Sequence, residues 1–227
     1  MVVKKAVQIE IPAIKMGTAT LEVVGTSPVI VHAWGVKAKR LMRDKQQQKA
    51  TTKRAAKDPN ADYFGAMYIL NRDEHQPEDD QPDPEVAVSS AECLAIHGLP
   101  AAGFRKAIVR AARLMGAVMT DTRCGFKMLA DNADNLLPME FDSCKIREDV
   151  VRLNGTTSDL RYRPIYEGWS CKMVVSFMDN MVGIDQLVSL LKVAGRSVGV
   201  CEWRTEKDGT FGSFEVTGVS DVSYESV

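Results

Sequence analysis

Apolar and polar side chains alternate from Lys4 to Ile14 and again from Thr18 to Val24, the two-residue period of a half-buried strand. The intervening Met16-Gly17 predicts a tight connection between two early strands, and Gly25-Thr26-Ser27-Pro28 closes the second. After the short apolar run Val29-Ile30-Val31, good helix formers continue to Ala56, where Asp58-Pro59 predicts a stop. Residues 60–70 read as a short aromatic segment with a strand-like end. Residues 73–86, rich in Pro and acids, read as a mobile loop.

A 3.6-residue period appears at AAGFRKAIVRAARLMG, which closes at Gly116. Phe104, Ala107, Ile108, Ala111 and Met115 share one face of this helix, and Arg105, Lys106, Arg110 and Arg113 share the other. Residues 117–168 show no clear period and read as short strands within a long excursion. The last third is regular again. A strand over 169–177 precedes Ile184, Leu187, Val188, Leu191 and Ala194 at helical spacing, with Gly195 as the stop. A Gly-rich stretch then leads to a final strand over 211–219. Strand, helix, loop and strand at this spacing form half of a split βαβ unit of the ferredoxin-like kind, and the first block can supply the other half.

Charge changes this picture. The 227 residues carry a net charge of −1, yet nine Lys/Arg stand against Asp44 alone between Lys37 and Lys57. Eight acids stand against Arg72 alone between Arg72 and Glu92. Such segregation creates a local field that suits a polyanionic partner. The cations Lys37, Lys39, Arg40, Arg43, Lys45, Lys49, Lys53 and Arg54 scatter around the helical wheel, as on a projecting arm. They read equally as a phosphate-binding surface or as a solvated helix.

The basic face of the 103–115 helix is a stripe of cations without an intervening acid. Pro100-Ala101-Ala102-Gly103 at its start offers either a phosphate site on free N–H groups or tight packing on a sheet. In the Gly-rich stretch, Arg196 and Arg204 are phosphate candidates and Trp203 a stacking surface, although a purely structural hairpin fits as well. His32 and Trp34 read as a contact pair or as core edge, the latter favoured for Trp34.

Signatures of other chemistry are weak. His32, His75 and His97 are scattered, Cys93 and His97 form an i,i+4 pair without a second ligand pair, and no metal site or cofactor is expected. Neither a P-loop nor G-x-G-x-x-G occurs. Five spread cysteines without C-x-x-C fit a reducing, cytoplasmic setting. No stretch approaches the roughly 18 apolar residues of a membrane span, and no secretory signal is read at the start.

Together, LPAAGFRKAIVRAAR and a helix ending in Gly195-Arg196, followed by a Gly-rich turn and FGSFEV, resemble the RAMP superfamily. Its best-known members are the backbone subunits of CRISPR effector complexes. The segment SPVIVHAWGVKAKRLM, with the E-W-R-x-E-K-x-G-x-F-G pattern, is also similar to bacteriophage-encoded proteins. The resemblance implies one α+β domain over 1–227 with a ferredoxin-like (RRM-like) βαββαβ core, a basic arm and acidic loop inserted at 28–98, and a second excursion at 117–168.

It further implies backbone contacts from Arg105 and Lys106, a contact from Arg196, and a finger or thumb at 37–57. The RNA-cleaving members use an acid in an early loop, whereas no acid occurs from Thr26 to Arg43 here, which implies a non-catalytic protein. The expected partner is single-stranded nucleic acid, RNA or DNA, coated by a homo-oligomer or filament. The alternative is a phage single-stranded DNA-binding or assembly protein working through protein contacts.

Overall fold

The computed structural model describes residues 13–49, 56–153 and 157–226, and among these the side chains of all but Val36, Lys37, Leu153 and Ser226. The expected strand over 4–14 and the residues Lys53 and Arg54 lie wholly or mainly outside this range. The strands are β1 (Lys15–Gly25), β2 (Val29–Ile30), β3 (Gly98–Pro100), β4 (Phe126–Leu129), β5 (Leu136–Glu140), β6 (Ser143–Leu153), β7 (Thr157–Glu167), β8 (Ser170–Met178) and β9 (Phe214–Ser226). The helices are α1 (Val36–Gln46), α2 (Pro59–Gly65), α3 (Pro77–Asp80), α4 (Ala101–Leu114), α5 (Met119–Gly125) and α6 (Ile184–Ser197).

The main sheet runs β3-β5-β8-β1-β9, with β4 also paired to β8, and every neighbouring pair is antiparallel. Reduced to β1, α4, β4 with β5, β8, α6 and β9, the order is that of a ferredoxin-like βαββαβ fold. The α4 connection carries the chain from β1 past β8 to β4 and β5, the α6 connection carries it from β8 past β1 to β9, and both helices lie on one face. That face is where the alternation of β1 buries Ala19, Leu21 and Val23. Against it α4 buries Phe104, Ala107, Ile108 and Ala111, and α6 buries Leu187, Leu191 and Ala194. Trp169 is fully buried near Phe104 and Phe214, and its indole N–H donates to the Ser27 carbonyl at 2.8 Å.

Several sequence expectations are corrected. Met16-Gly17 is not a turn but part of β1, paired with Met178 and Phe177; the Phe177 ring lies where a Cβ on Gly17 would sit. The basic helix ends at Gln46 instead of reaching Ala56, and Asp58-Pro59 starts a helix instead of stopping one. The Asp58 carboxylate accepts from the Ala61 N–H at 3.1 Å, and Pro59 takes the first helical position, where its missing N–H costs nothing.

Gly195 lies inside α6, not at its end, because α6 crosses β9 so closely that a Cβ would lie 2.0 Å from the Phe214 carbonyl oxygen. Met115 is exposed, since α4 ends one residue before it. The final strand runs from Phe214 to Ser226, longer than expected, because it spans the whole edge of β1.

The acidic segment is packed down rather than mobile. Pro77 and Pro84 are buried, and the Asp80 carboxylate accepts from the N–H groups of Leu94 and Ala95 at 3.1 and 2.8 Å. Buried Gln81 accepts from the Tyr63 hydroxyl at 2.6 Å and donates to the Cys144 carbonyl at 3.1 Å. The unread region 117–168 contains α5, β4, β5 and the hairpin β6–β7, which pairs through eleven registers and joins β2 in a second, three-stranded sheet.

Candidate nucleic-acid interface

The sheet face opposite the helices presents Thr18, Thr20 and Glu22 of β1, Lys172, Val174 and Ser176 of β8, and Lys127 and Leu129 of β4. Lys172 pairs with Glu22 at 2.7 Å, and the Thr18 hydroxyl bonds that of Ser223 at 2.7 Å. These strand positions hold no aromatic ring, so this face offers no stacking platform. The cations that the sequence singles out lie elsewhere.

The structure separates the sequence-predicted cations into two groups. In the first, acids, carbonyls or rings within the fold already hold them. Arg110 bonds Glu206 through Nε, and Arg204 reaches the other oxygen of Glu206 through Nη2 at 3.0 Å and donates Nη1–H to the Cys201 carbonyl at 3.2 Å. Burial raises the pKa of Glu206, but the bonds from Arg110 and Arg204 outweigh it and hold the carboxyl below its usual range. Arg105 reaches from α4 to α5 and β4, donating to the Arg123 carbonyl at 2.8 Å with its guanidinium 5.9 Å from the Phe126 ring. The expected all-basic stripe on α4 is therefore reduced to Lys106 and Arg113.

The second group forms no ion pair among the described residues: Lys39, Arg43 and Lys45 on α1, Lys106 and Arg113 on α4, and Arg196 on α6. All six are exposed. Arg40 lies 3.9 Å and Lys49 3.4 Å from Asp44, the single acid of the arm. No described side chain of α1 is buried, and Leu41 and Met42 are exposed, so the helix stands off the core. Helix propensity maintains it rather than a packed face.

At the start of α4, the Ala101 N–H is taken by the Asn135 carbonyl at 2.9 Å. Gly103 has only the Pro100 Cγ nearby, at 3.8 Å from an added Cβ, so it packs against no sheet.

Trp203 belongs to a loop that is locked into the fold. Cys201 and Trp203 have φ of 63° and 50°, left-handed values that bulky residues rarely adopt. They are held there by bonds from Glu202 N–H to the Ile30 carbonyl (3.0 Å), Val200 N–H to the Gly212 carbonyl (2.9 Å) and Phe211 N–H to the Trp203 carbonyl (3.2 Å). Gly209 lets the Trp203 carbonyl approach to where a side chain would stand.

The loop covers one face of the hairpin, which sequence reasoning left unread. There Arg147 lies opposite Arg163, and Asp149 opposite Arg161. Arg147 Nε donates to Asp149 at 2.9 Å and stacks 5.0 Å from the Phe211 ring, while the Arg163 guanidinium lies 5.7 Å from the Trp203 ring. The alternation of charge along KIREDV and DLRYR was the available signal, since same-face residues in paired strands are two apart. His32 faces this cluster. Burial lowers its pKa, Glu202 opposes that effect, and Arg161 and Arg163 add to it.

Trp34 was read as core edge, and the structure places it 61% exposed instead. Its neighbour Val31 is buried, but the chain turns outward through Ala33.

Five cysteines are free, and no three His, Cys, Asp or Glu side chains converge as a metal site among the described residues. No described helix is long and apolar enough to cross a membrane.

No family model and no curated protein matches the sequence. Among solved structures, the chain is similar to one in the type III-B Cmr-β complex, determined by electron cryo-microscopy bound to cognate target RNA. The similarity covers 91% of this chain and 60% of that one, with 8% identity and a TM-score of 0.47. This chain thus spans less than two thirds of that chain's length.

Proposed function

We propose that this protein binds single-stranded nucleic acid through the phosphate backbone, without sequence preference and without catalysis, and that copies of it assemble along the strand. The observation that carries the reading is α1. None of its described side chains is buried, and on it Lys39, Arg43 and Lys45 project into solvent without an ion pair among the described residues. A helix stabilised only for its own sake would mix signs to gain i,i+4 pairs, whereas unopposed cations on a projecting element are an electrostatic footprint for a polyanion. Lys106, Arg113 and Arg196 extend the positive surface onto the helical layer. The packed acidic segment, with Asp73, Glu74, Glu78, Asp79, Asp83 and Glu85 exposed, supplies the complementary surface for the arm of a neighbouring copy.

Binding of labelled single-stranded RNA and DNA of unrelated sequences, followed by fluorescence anisotropy across a salt series, tests this. Affinity should be similar across sequences and fall with salt at a log–log slope of about −0.7 for each phosphate neutralised. Absence of binding at about 50 mM salt, where such contacts are strong, would overturn the reading. Assembly without any such binding would favour the second one, a phage assembly protein acting through protein contacts; exposed Leu41 and Met42 on α1 are what recommend it.

A further inference from the structure

The groove between Trp34 and α1 is lined by Trp34, Lys39, Met42, Arg43 and Gln46 and has a volume of about 420 Å³. We infer that it is a base-stacking site, in which one unpaired nucleobase lies on the Trp34 indole while Lys39 and Arg43 hold the flanking phosphates. The inference rests on the single-strand reading above and adds to it the residue that meets the base.

Three observations converge on it. The first is that Trp34 is exposed but not loosely attached. The Ala33 N–H donates to the Ala66 carbonyl at 2.8 Å, and Gly35 packs against Gly65, where an added Cβ would meet the Gly65 carbonyl oxygen at 3.2 Å. The Gly35 carbonyl then accepts from the Lys39 N–H at 3.0 Å, fixing the start of α1 to the same anchor. The indole is thus carried on backbone set before any ligand arrives, which lowers the ordering cost of binding.

The second is charge. Lys39 and Arg43 are one helical turn apart on the groove side, and neither has an acid partner among the described residues. Among the described residues no carboxylate lines the groove, so an anion meets no repulsion from these walls. The third is chemistry. An indole face with a thioether and a primary amide suits a flat heteroaromatic ring with a polar edge, and every base has a π-face, so such a site tolerates any sequence. Glu202 and Asp208 line the pocket at Trp203, whereas no acid lines the groove at Trp34 among the described residues, and this is why the groove favours Trp34 over Trp203 as the stacking residue.

The test compares the wild-type protein with W34A and W34F on two probes of equal length and charge, a 30-nucleotide oligothymidylate and its abasic counterpart. W34A should weaken binding to the oligothymidylate roughly fivefold to a hundredfold, W34F much less, and neither should change affinity for the abasic strand. An unchanged thermal midpoint, expected from the exposure of Trp34, separates lost stacking from lost structure.

If the wild type binds both probes and W34A follows it on both, the groove assignment falls and the single-strand reading stands. If the wild type binds neither probe, both fall. If W34A reduces self-association without oligonucleotide and leaves affinity intact, the groove docks another copy, and the inference is overturned.

Discussion

Arg163 donates Nη2–H to the Asp149 carboxylate at 2.7 Å with both side chains at most 5% exposed, and this buried pair joins the two strands of the hairpin. Arg163 also reaches Glu202 at 3.4 Å and lies under Trp203, while its Nε finds no hydrogen-bond acceptor among the described residues. A buried guanidinium stripped of its main carboxylate is far costlier than a buried apolar pair. Asp149→Ala should therefore lower unfolding free energy by about 3 kcal/mol, and the double variant D149L/R163M by distinctly less. Urea denaturation of the two variants checks this, and equal losses would show that the pair contributes favourably in itself.

The division of cations into paired and free groups makes opposite demands on stability and binding. K106E/R113E should leave the fold intact, weaken single-strand binding alike for all sequences, and reduce the salt slope by about 1.4. Arg204→Ala should cost at most about 1 kcal/mol of stability, because its partner Glu206 is held also by Arg110, and should leave affinity unchanged. Anisotropy titrations beside thermal melts distinguish the two patterns. A larger affinity loss for Arg204→Ala than for K106E/R113E would contradict the assignment of the interface.

Two glycines on the helical layer should respond in opposite directions to the same change. At Gly195 a methyl would lie 2.0 Å from the Phe214 carbonyl oxygen, so α6 and β9 must separate; Gly195→Ala should cost about 3 kcal/mol. At Gly103 the methyl meets only Pro100 Cγ at 3.8 Å, and alanine gains helix propensity, so Gly103→Ala should stabilise by about 0.5 kcal/mol. Chemical denaturation of both variants against the wild type measures the difference.

The ferredoxin-like core was legible because its elements bury one face each, and burial on one face writes a period into the sequence: two for β1 and 3.6 for α4 and α6. What was misread lacked that constraint. Gly17 and Gly195 look like breaks in a linear reading and are contact points in three dimensions, since the crossing of Phe177 and Phe214 is decided by residues about 160 and 20 positions away. The acidic segment looked mobile because its order comes from single polar side chains, Asp80 and Gln81, which leave no periodic trace. Arg110 and Arg204 could not be set apart from the free cations until Glu206 was seen between them. Trp34 shows the converse error: an aromatic beside an apolar run is usually buried, and only the Gly35–Gly65 contact that turns the chain outward makes it an exception.

His97 should make the protein acid-sensitive in a defined window. Its ring is 4% exposed, packed edge-on against Phe141 and Tyr166, with Nδ1 2.9 Å from the Tyr166 hydroxyl. Burial pushes its pKa down to about 4; Asp80 works against that shift and Arg72 with it. The unfolded chain, with an ordinary value near 6.5, therefore takes up the proton first as pH falls. Stability is complete above about pH 6.5 and is lost progressively down to about pH 4, where the folded state also binds the proton. The fall of the pKa to about 4 corresponds to about 3 kcal/mol. His32 shifts in the same direction, whereas Glu206 is depressed and adds its own loss at lower pH, below the usual carboxylate range. The His97 contribution is isolated by comparison with His97→Phe, which keeps the aromatic packing and removes the proton site. Urea midpoints measured from pH 7.5 to 4.5 should fall less steeply for the variant, at the expense of its stability at neutral pH, where the Tyr166 hydroxyl loses a partner. Parallel curves for the two proteins would mean that His97 titrates normally in the fold.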